Sequence, residues 1–341
     1  MQPTKKVTSS KTSFETDGPK VDSRVEALID SHRPYLTDGG LETTLVFHDG
    51  VDLPEFASYA ELQHAEGRAR LRAYSERYLE IAREARTGFV LETPTWRANL
   101  DWGRKIGTSE EQLVDINRLA ARELNELRQE WETSETPIVV SGNIGPRGDG
   151  YEAGDRGLVE DHTDHHRFQI EALASAGVDV ITALTMTTVE EAAGVALAAR
   201  QVGLPVVISF TVETDGRIPT GASLREAIES TDEITDAAPV YYMVNCAHPT
   251  HFDSVLEPGA PWTERIGGVR ANASRCSHAE LDAAETLDEG DPAEFGRQNA
   301  ELFRLHPRLK VLGGCCGTDH RHVRRIAIEL SLVNPPLRAA S

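Results

Sequence analysis

A chain of 341 residues, 39% hydrophobic and 26% charged, can bury a sizeable core as one large domain or two ordinary ones. No apolar run approaches the roughly 18 residues of a membrane span. With 35 basic against 55 acidic residues the net charge is −20, which argues against nucleic acid and anionic membrane as partners, while the globular composition without a membrane-length apolar run predicts a cytoplasmic protein.

The first 20 residues are polar, carry four lysines and lack the apolar stretch of a secretory signal, so 1–20 reads as a disordered arm and 21–341 as one domain. Apolar spacing predicts a helix at 21–31. A short strand at 34–38 follows, stopped by Gly39 and Gly40. A long helix is predicted over 59–86, a strand at 88–92 and a helix at 109–131 with Thr108 or Ser109 as N-cap. The alternation continues with strands at 137–141, 178–184, 205–210, 240–244, 265–270 and 310–312. Helices are predicted at 162–176, 189–201, 223–237, 292–305 and 319–330, and Ser223 with Glu226 has capping-box spacing.

Eight short apolar runs, each followed by a helical segment, describe a (β/α)8 TIM barrel in the α/β class, with an open doubly wound sheet as the alternative. In a barrel, Asp38, Glu92, Asn143, Thr185, Cys246, Asn272 and Cys315 all fall just past strand C-termini, the face where barrel enzymes keep their chemistry. An exposed helical layer would also offer surface for a homo-oligomer.

The most informative stretch is Gly313-Gly-Cys-Cys-Gly-Thr318. Adjacent side chains of a regular strand point to opposite faces, so using Cys315 and Cys316 together requires a turn, which the glycines permit. Cys246 supplies a third thiol at the end of another apolar run. Three converging thiolates suit Zn2+ and leave a fourth position open, as in catalytic zinc sites; three buried, inert thiols are the alternative. Cys276, in a polar loop, reads as a bystander, and four cysteines in this pattern suggest reduced thiols rather than a disulfide framework. His162, His165 and His166 read as a solvated helix face, and His320 and His322 as surface residues. His248 and His251 flank Cys246 but are left out of the ligand set, because a fourth protein ligand would close the site.

The chain resembles the homocysteine S-methyltransferase family of zinc-thiolate barrels. The resemblance rests on Asp38-Gly-Gly-Leu41, Glu92-Thr93 with Thr95, Gly142 with Ile144-Gly-Pro146, Val244-Asn-Cys246 and the double-cysteine block, and spans residues 35 to about 330. It implies Cys246, Cys315 and Cys316 as ligands to Zn2+, with a small-molecule thiol acceptor, typically homocysteine, in the fourth position and an onium compound as methyl donor. The matched stretches and strand exits make Asp38, Glu42, Glu92, Thr93, Trp96, Asn143, Thr185, Asn245 and Asn272 candidates for substrate contact, Trp96 and Glu92 for a cationic donor.

Two departures bear on the acceptor. Leu184-Thr185 stands where the family usually has Glu-Thr, and Glu42 stands where it commonly has glycine. Either Glu42 replaces the missing anion, or the acceptor is a thiol without an ammonium group. The segment Arg270-Ala-Asn272-Ala-Ser274 also departs from the family's usual Pro-Asn-Ser-Gly. The expected activity is methyl transfer to homocysteine giving methionine; the alternatives are a different small thiol, or a zinc-binding protein without turnover.

Overall fold

The computed structural model describes residues 23–154 and 156–333; the expected arm at 1–20 lies outside them. Eight parallel strands close into a barrel in sequence order: β1 Tyr35–Leu36, β2 Gly88–Glu92, β3 Ile138–Ile144, β4 Val180–Met186, β5 Val206–Phe210, β6 Tyr241–Asn245, β7 Ile266–Ala271 and β8 Val311–Gly314. Tyr35 pairs with Gly88 on one side and Val311 on the other, and that closure excludes the open sheet.

Parallel strands buried on both faces need apolar residues on each. Along β3, Val139 joins an inner cluster with Tyr35, Val90, Val180, Val207 and Val311, while its neighbours Ile138 and Val140 join the outer core beneath the helices. Helix Ser23–Ile29 presses Val25 and Leu28 against the inner cluster, stopping the barrel at its N-terminal end.

Ser223 forms the capping box its spacing suggests, with Glu226 returning the bond, and of the two N-cap candidates it is Ser109 that caps, in a capping box with Gln112. The helix expected over 59–86 is instead two elements, 3-10 turns at Ser58–Gln63 and an α-helix at Ala65–Ala85. His64 is extended between them (φ −127°), and the turns fold back so closely that a Cβ on Gly67 would lie 2.2 Å from the Glu61 carbonyl oxygen. A helix at Leu100–Ile106, capped by the Asn99 side chain, was too short for its periodicity to register.

Strands β3 and β4 run past their expected ends, so Asn143 and Thr185 lie within the last turns of strand rather than beyond it. Two histidine expectations are corrected. His166 and His322 are fully buried: His166 Nε2 lies 2.8 Å from Glu191, and His322 Nε2 lies 2.8 Å from the Glu289 carbonyl oxygen. His162 is buried too, and burial beside His166 holds the His165 imidazole down at about 3. These rings are packing elements, not a solvated face. Among the described residues no helix is long and apolar enough to cross a membrane.

Candidate metal centre and active site

The exits of β6 and β8 bring three sulfurs together. Immediately after β6, Cys246 takes a left-handed backbone (φ +53°), rare for a residue with a side chain and costing on the order of 1–3 kcal/mol. Its N–H donates to the Arg270 carbonyl oxygen at 3.1 Å. Its own carbonyl accepts from Asn272 Nδ2 at 3.0 Å and from His278 Nε2 at 2.7 Å.

One residue earlier, Asn245 Oδ1 accepts from the Thr185 N–H at 2.9 Å and from Ser209 Oγ at 2.6 Å. Thr185 is itself left-handed (φ +62°), so the exits of β4 and β6 hold each other in strained conformations. At β8 the chain turns between the two cysteines because Gly314 has no side chain: a Cβ there would stand 1.9 Å from Thr318 Oγ1. Thr318 Oγ1 donates to the Cys315 carbonyl at 2.7 Å and ties the turn shut.

The sulfurs of Cys246, Cys315 and Cys316 all lie within 4.8 Å of one another. Cys246 and Cys316 are 4.0 Å apart, close to the roughly 3.8 Å that two thiolates span on a tetrahedral zinc with Zn–S bonds of about 2.3 Å. Cys246 and Cys315 are joined as a disulfide, with Cα atoms 5.4 Å apart. The expectation of reduced thiols is corrected on this point, since the two strand exits meet across β7. A metal could use both sulfurs only after a two-electron reduction of that bond. The donor set fits a soft divalent ion, because three converging cysteine sulfurs are the ligand type that selects one.

Cys276 is exposed and outside the cluster. His248 is outside it as well, its Nδ1 accepting from the Thr250 N–H at 3.2 Å.

Above the sulfurs opens a cavity of about 320 Å3. Asp38, Glu42, Glu92, Thr93, Trp96, Asn143, Thr185 and Asn245 all line it; Asn272 does not, since it stands behind Cys246 and holds its carbonyl. Glu92 and Asp38 are not free to meet a ligand. The buried guanidinium of Arg270 pairs with Glu92, donates from Nη2 to Asp38 at 2.6 Å, and uses Nε on the Gly314 carbonyl at 3.0 Å.

Burial raises the Glu92 carboxyl to about 7 against the opposing pull of Arg270, with Asp38 and Glu42 adding to the rise. Glu42 has no ion pair among the described residues. Its Oε1 accepts from Ser58 Oγ at 2.8 Å, and burial raises its pKa despite that bond. Trp96 donates from its indole to the Leu184 carbonyl at 3.4 Å, and Arg97 lies 4.9 Å from its ring centroid, so much of Trp96 is already packed.

The family model of the homocysteine S-methyltransferases matches residues 35–330, nearly the whole barrel. The chain belongs to the homocysteine S-methyltransferase family. Similar proteins include homocysteine S-methyltransferase 2 of Arabidopsis thaliana, 27% identical over 84% of this chain and 80% of that one. Homocysteine S-methyltransferase 4 of Zea mays is 26% identical over 86% and 88%. Homocysteine S-methyltransferase 3 of A. thaliana aligns over less, 58% of this chain and 59% of that protein at 26% identity. The fold matches that of the homocysteine methyltransferase MmuM from Escherichia coli in its oxidized form, with a TM-score of 0.68 and 20% identity over 90% of this chain and 99% of that one. The metallated form of MmuM superposes with a TM-score of 0.67 at 19% identity, over 89% and 99%.

Three residues of this S-methyltransferase had escaped the sequence reading as parts of the site. Arg270 looked like the end of a strand, and an inward guanidinium there signals itself only once Asp38 and Glu92 are placed opposite. Tyr151 sits in a glycine- and acid-rich loop after β3, with its hydroxyl 3.1 Å from Cys316 Sγ. His278 follows the Ser277 cap of the short helix His278–Asp282. A capping-box spacing, Ser277 with Glu280, was the available signal for that helix, but nothing local tied its first residue to Cys246.

Proposed function

We propose that this enzyme transfers a methyl group from a sulfonium or betaine-type onium donor to the thiol of homocysteine, giving methionine, at a zinc centre formed by Cys246, Cys315 and Cys316. The convergence of these three sulfurs beneath one cavity carries the reading. The metallated form of the similar MmuM structure supports it. Bound zinc would hold the acceptor sulfur as a thiolate, the nucleophilic form, in the position the three cysteines leave open.

The chain's own residues do the rest. A new C–S bond forms as the donor's bond to its methyl breaks, the donor departs neutral, and the acceptor's thiol proton passes to solvent. No general acid is required at the leaving group. The anionic cavity attracts a cation, and Glu42 is the inner carboxylate without an ion pair among the described residues, so it is the anchor for the acceptor's ammonium in place of the carboxylate absent at Leu184. Asn143 Oδ1, buried on the cavity wall without a hydrogen-bond partner among the described residues, adds an acceptor for the same group.

A second reading is favoured by one observation, the engagement of both Asp38 and Glu92 by Arg270. It makes the acceptor a thiol lacking an ammonium. Reduced, zinc-loaded enzyme tested with S-methylmethionine or glycine betaine against homocysteine and 4-mercaptobutanoate separates the two. The homocysteine reading expects Glu42→Gln to raise KM for homocysteine by about tenfold, the loss of one charged contact, and to leave 4-mercaptobutanoate unchanged. Preference for 4-mercaptobutanoate in the wild type selects the second reading, and absence of methyl transfer to either thiol ends both.

A further inference from the structure

We propose that Tyr151 is a positioning residue of the thiolate centre, holding the Cys316 sulfur in place through its hydroxyl while its ring, stacked on His278, couples that sulfur to the backbone of Cys246. The inference rests on the zinc reading above and assigns a role to two loops the reaction had not yet used.

The geometry has three parts. The phenolic oxygen lies 3.1 Å from Cys316 Sγ, within hydrogen-bond range for sulfur, and against a thiolate only the phenol can donate. The Tyr151 and His278 rings are stacked, with centroids 4.2 Å apart and planes 19° from parallel. His278 Nε2 donates to the Cys246 carbonyl at 2.7 Å, and Nδ1 faces Glu213 at 3.2 Å, which fixes the ring's orientation. Two of the three sulfur-bearing residues are thus gripped from one side, Cys316 at its side chain and Cys246 at its backbone.

The loop is built to deliver the phenol there. The Tyr151 N–H donates to Asp149 Oδ1 at 2.8 Å, turning the chain just before the ring. Gly150 lets the loop lie against the barrel rim, since a Cβ would come within 2.9 Å of Thr185 Cγ2 and 3.0 Å of Trp96 Cζ2. Donation to a metal-bound thiolate draws charge from the sulfur and keeps it aimed at the ion, as outer partners of metal ligands commonly do. Cys316 sits on a turn past the end of β8 and before Gly317 (φ +76°), outside the strand ladder that would restrain its side chain. The phenol supplies that restraint from another strand's loop.

The test uses reduced full-length protein loaded with zinc, and separately with Co2+, whose thiolate charge-transfer band reports on the sulfurs. Tyr151→Phe keeps the ring and its stacking but removes the hydroxyl. The expected result is zinc release to a competing chelator about 10–100-fold faster than wild type, the usual effect of losing an outer-shell partner, with a shifted cobalt band. Melting temperature should stay near the wild-type value, and kcat should fall with little change in the donor's KM. Tyr151→Leu, which also removes the stacking partner, should lose metal faster still. Zinc release and a cobalt spectrum within twofold of wild type in both variants would overturn the proposal. Failure of the zinc reading looks different: wild-type protein itself then gives no cobalt band and no zinc to release.

Discussion

The two ends of this barrel are built on opposite plans. At the N-terminal end, Val90, Val139, Val180, Val207 and Val311 fill the interior under Val25 and Leu28 of the first helix, with backbones in ordinary strand geometry. At the C-terminal end the interior gives way to three cysteine sulfurs, the carboxylates of Asp38, Glu42 and Glu92 and the buried guanidinium of Arg270, and Thr185 and Cys246 are both left-handed. The floor supplies burial without chemistry, whereas the mouth carries strain and like charges that the rest of the fold must offset. The comparison teaches where a substitution will be felt: at the floor in stability alone, at the mouth in activity first.

Four substitutions sharpen or break that contrast. Cys316→Ser, at the mouth, should lower methyl transfer by at least about 100-fold and abolish stoichiometric zinc, while the metal-free protein unfolds in urea like metal-free wild type. Comparable loss of stability would show that the thiol belongs to the scaffold. Leu28→Ala, at the floor, should cost about 2–5 kcal/mol in the same denaturation and leave kcat and zinc content unchanged, as expected for a buried leucine truncation. A drop in kcat there would erase the division between the two ends.

Asn245→Ala lies on the boundary and should do both. It leaves the Thr185 N–H and the Ser209 hydroxyl without their acceptor, costing about 1–3 kcal/mol, and frees the strained exits of β4 and β6, so kcat falls as well. Unfolding curves and steady-state kinetics on one preparation measure the two effects together.

The smallest effect is a pH slope. Glu92 in the fold is raised from the ordinary 4.5 to about 7, so its contribution to stability is fully present below about 4.5 and is lost as pH rises through about 7. Glu92→Gln cannot titrate, and its stability relative to wild type should therefore improve steadily between those pH values. Urea midpoints at several pH values check the sign, and a variant that loses ground as pH rises would mean that Arg270, not burial, governs Glu92.

Much of this was legible in the sequence, because the signals were local. The eight apolar runs marked the strands, Ser109 and Ser223 announced their helices, and the glycines around Cys315 and Cys316 announced a turn bearing two thiols. Eight of the nine candidate substrate contacts line the cavity. Asn272 is the exception, for although it follows β7 directly its amide is turned to the Cys246 carbonyl.

What escaped was whatever depends on residues far apart in the chain. Arg270 acquires meaning from Asp38 and Glu92, and Tyr151 from Cys316 and His278; a strand pattern does not announce an inward guanidinium, and Tyr151 sits in no periodic pattern or capping motif. The break at His64 was hidden for another reason. Apolar spacing runs smoothly through it, and only the close approach of Gly67 to Glu61 shows that the chain doubles back.

The turn at residues 313–318 has a consequence for how such an enzyme could change its substrates. A Cβ at Gly313 would fall 2.9 Å from the Asp38 carbonyl oxygen, one at Gly314 inside Thr318, and one at Gly317 2.5 Å from the Asp288 carbonyl oxygen, so this stretch has no spare volume for new side chains. Phe47, Phe56 and Leu287, on the loops after β1 and β7, line the outer part of the same cavity. Diversification of acceptor or donor is thereby channelled into those two loops, while the thiol-bearing turn stays sterically frozen beneath them.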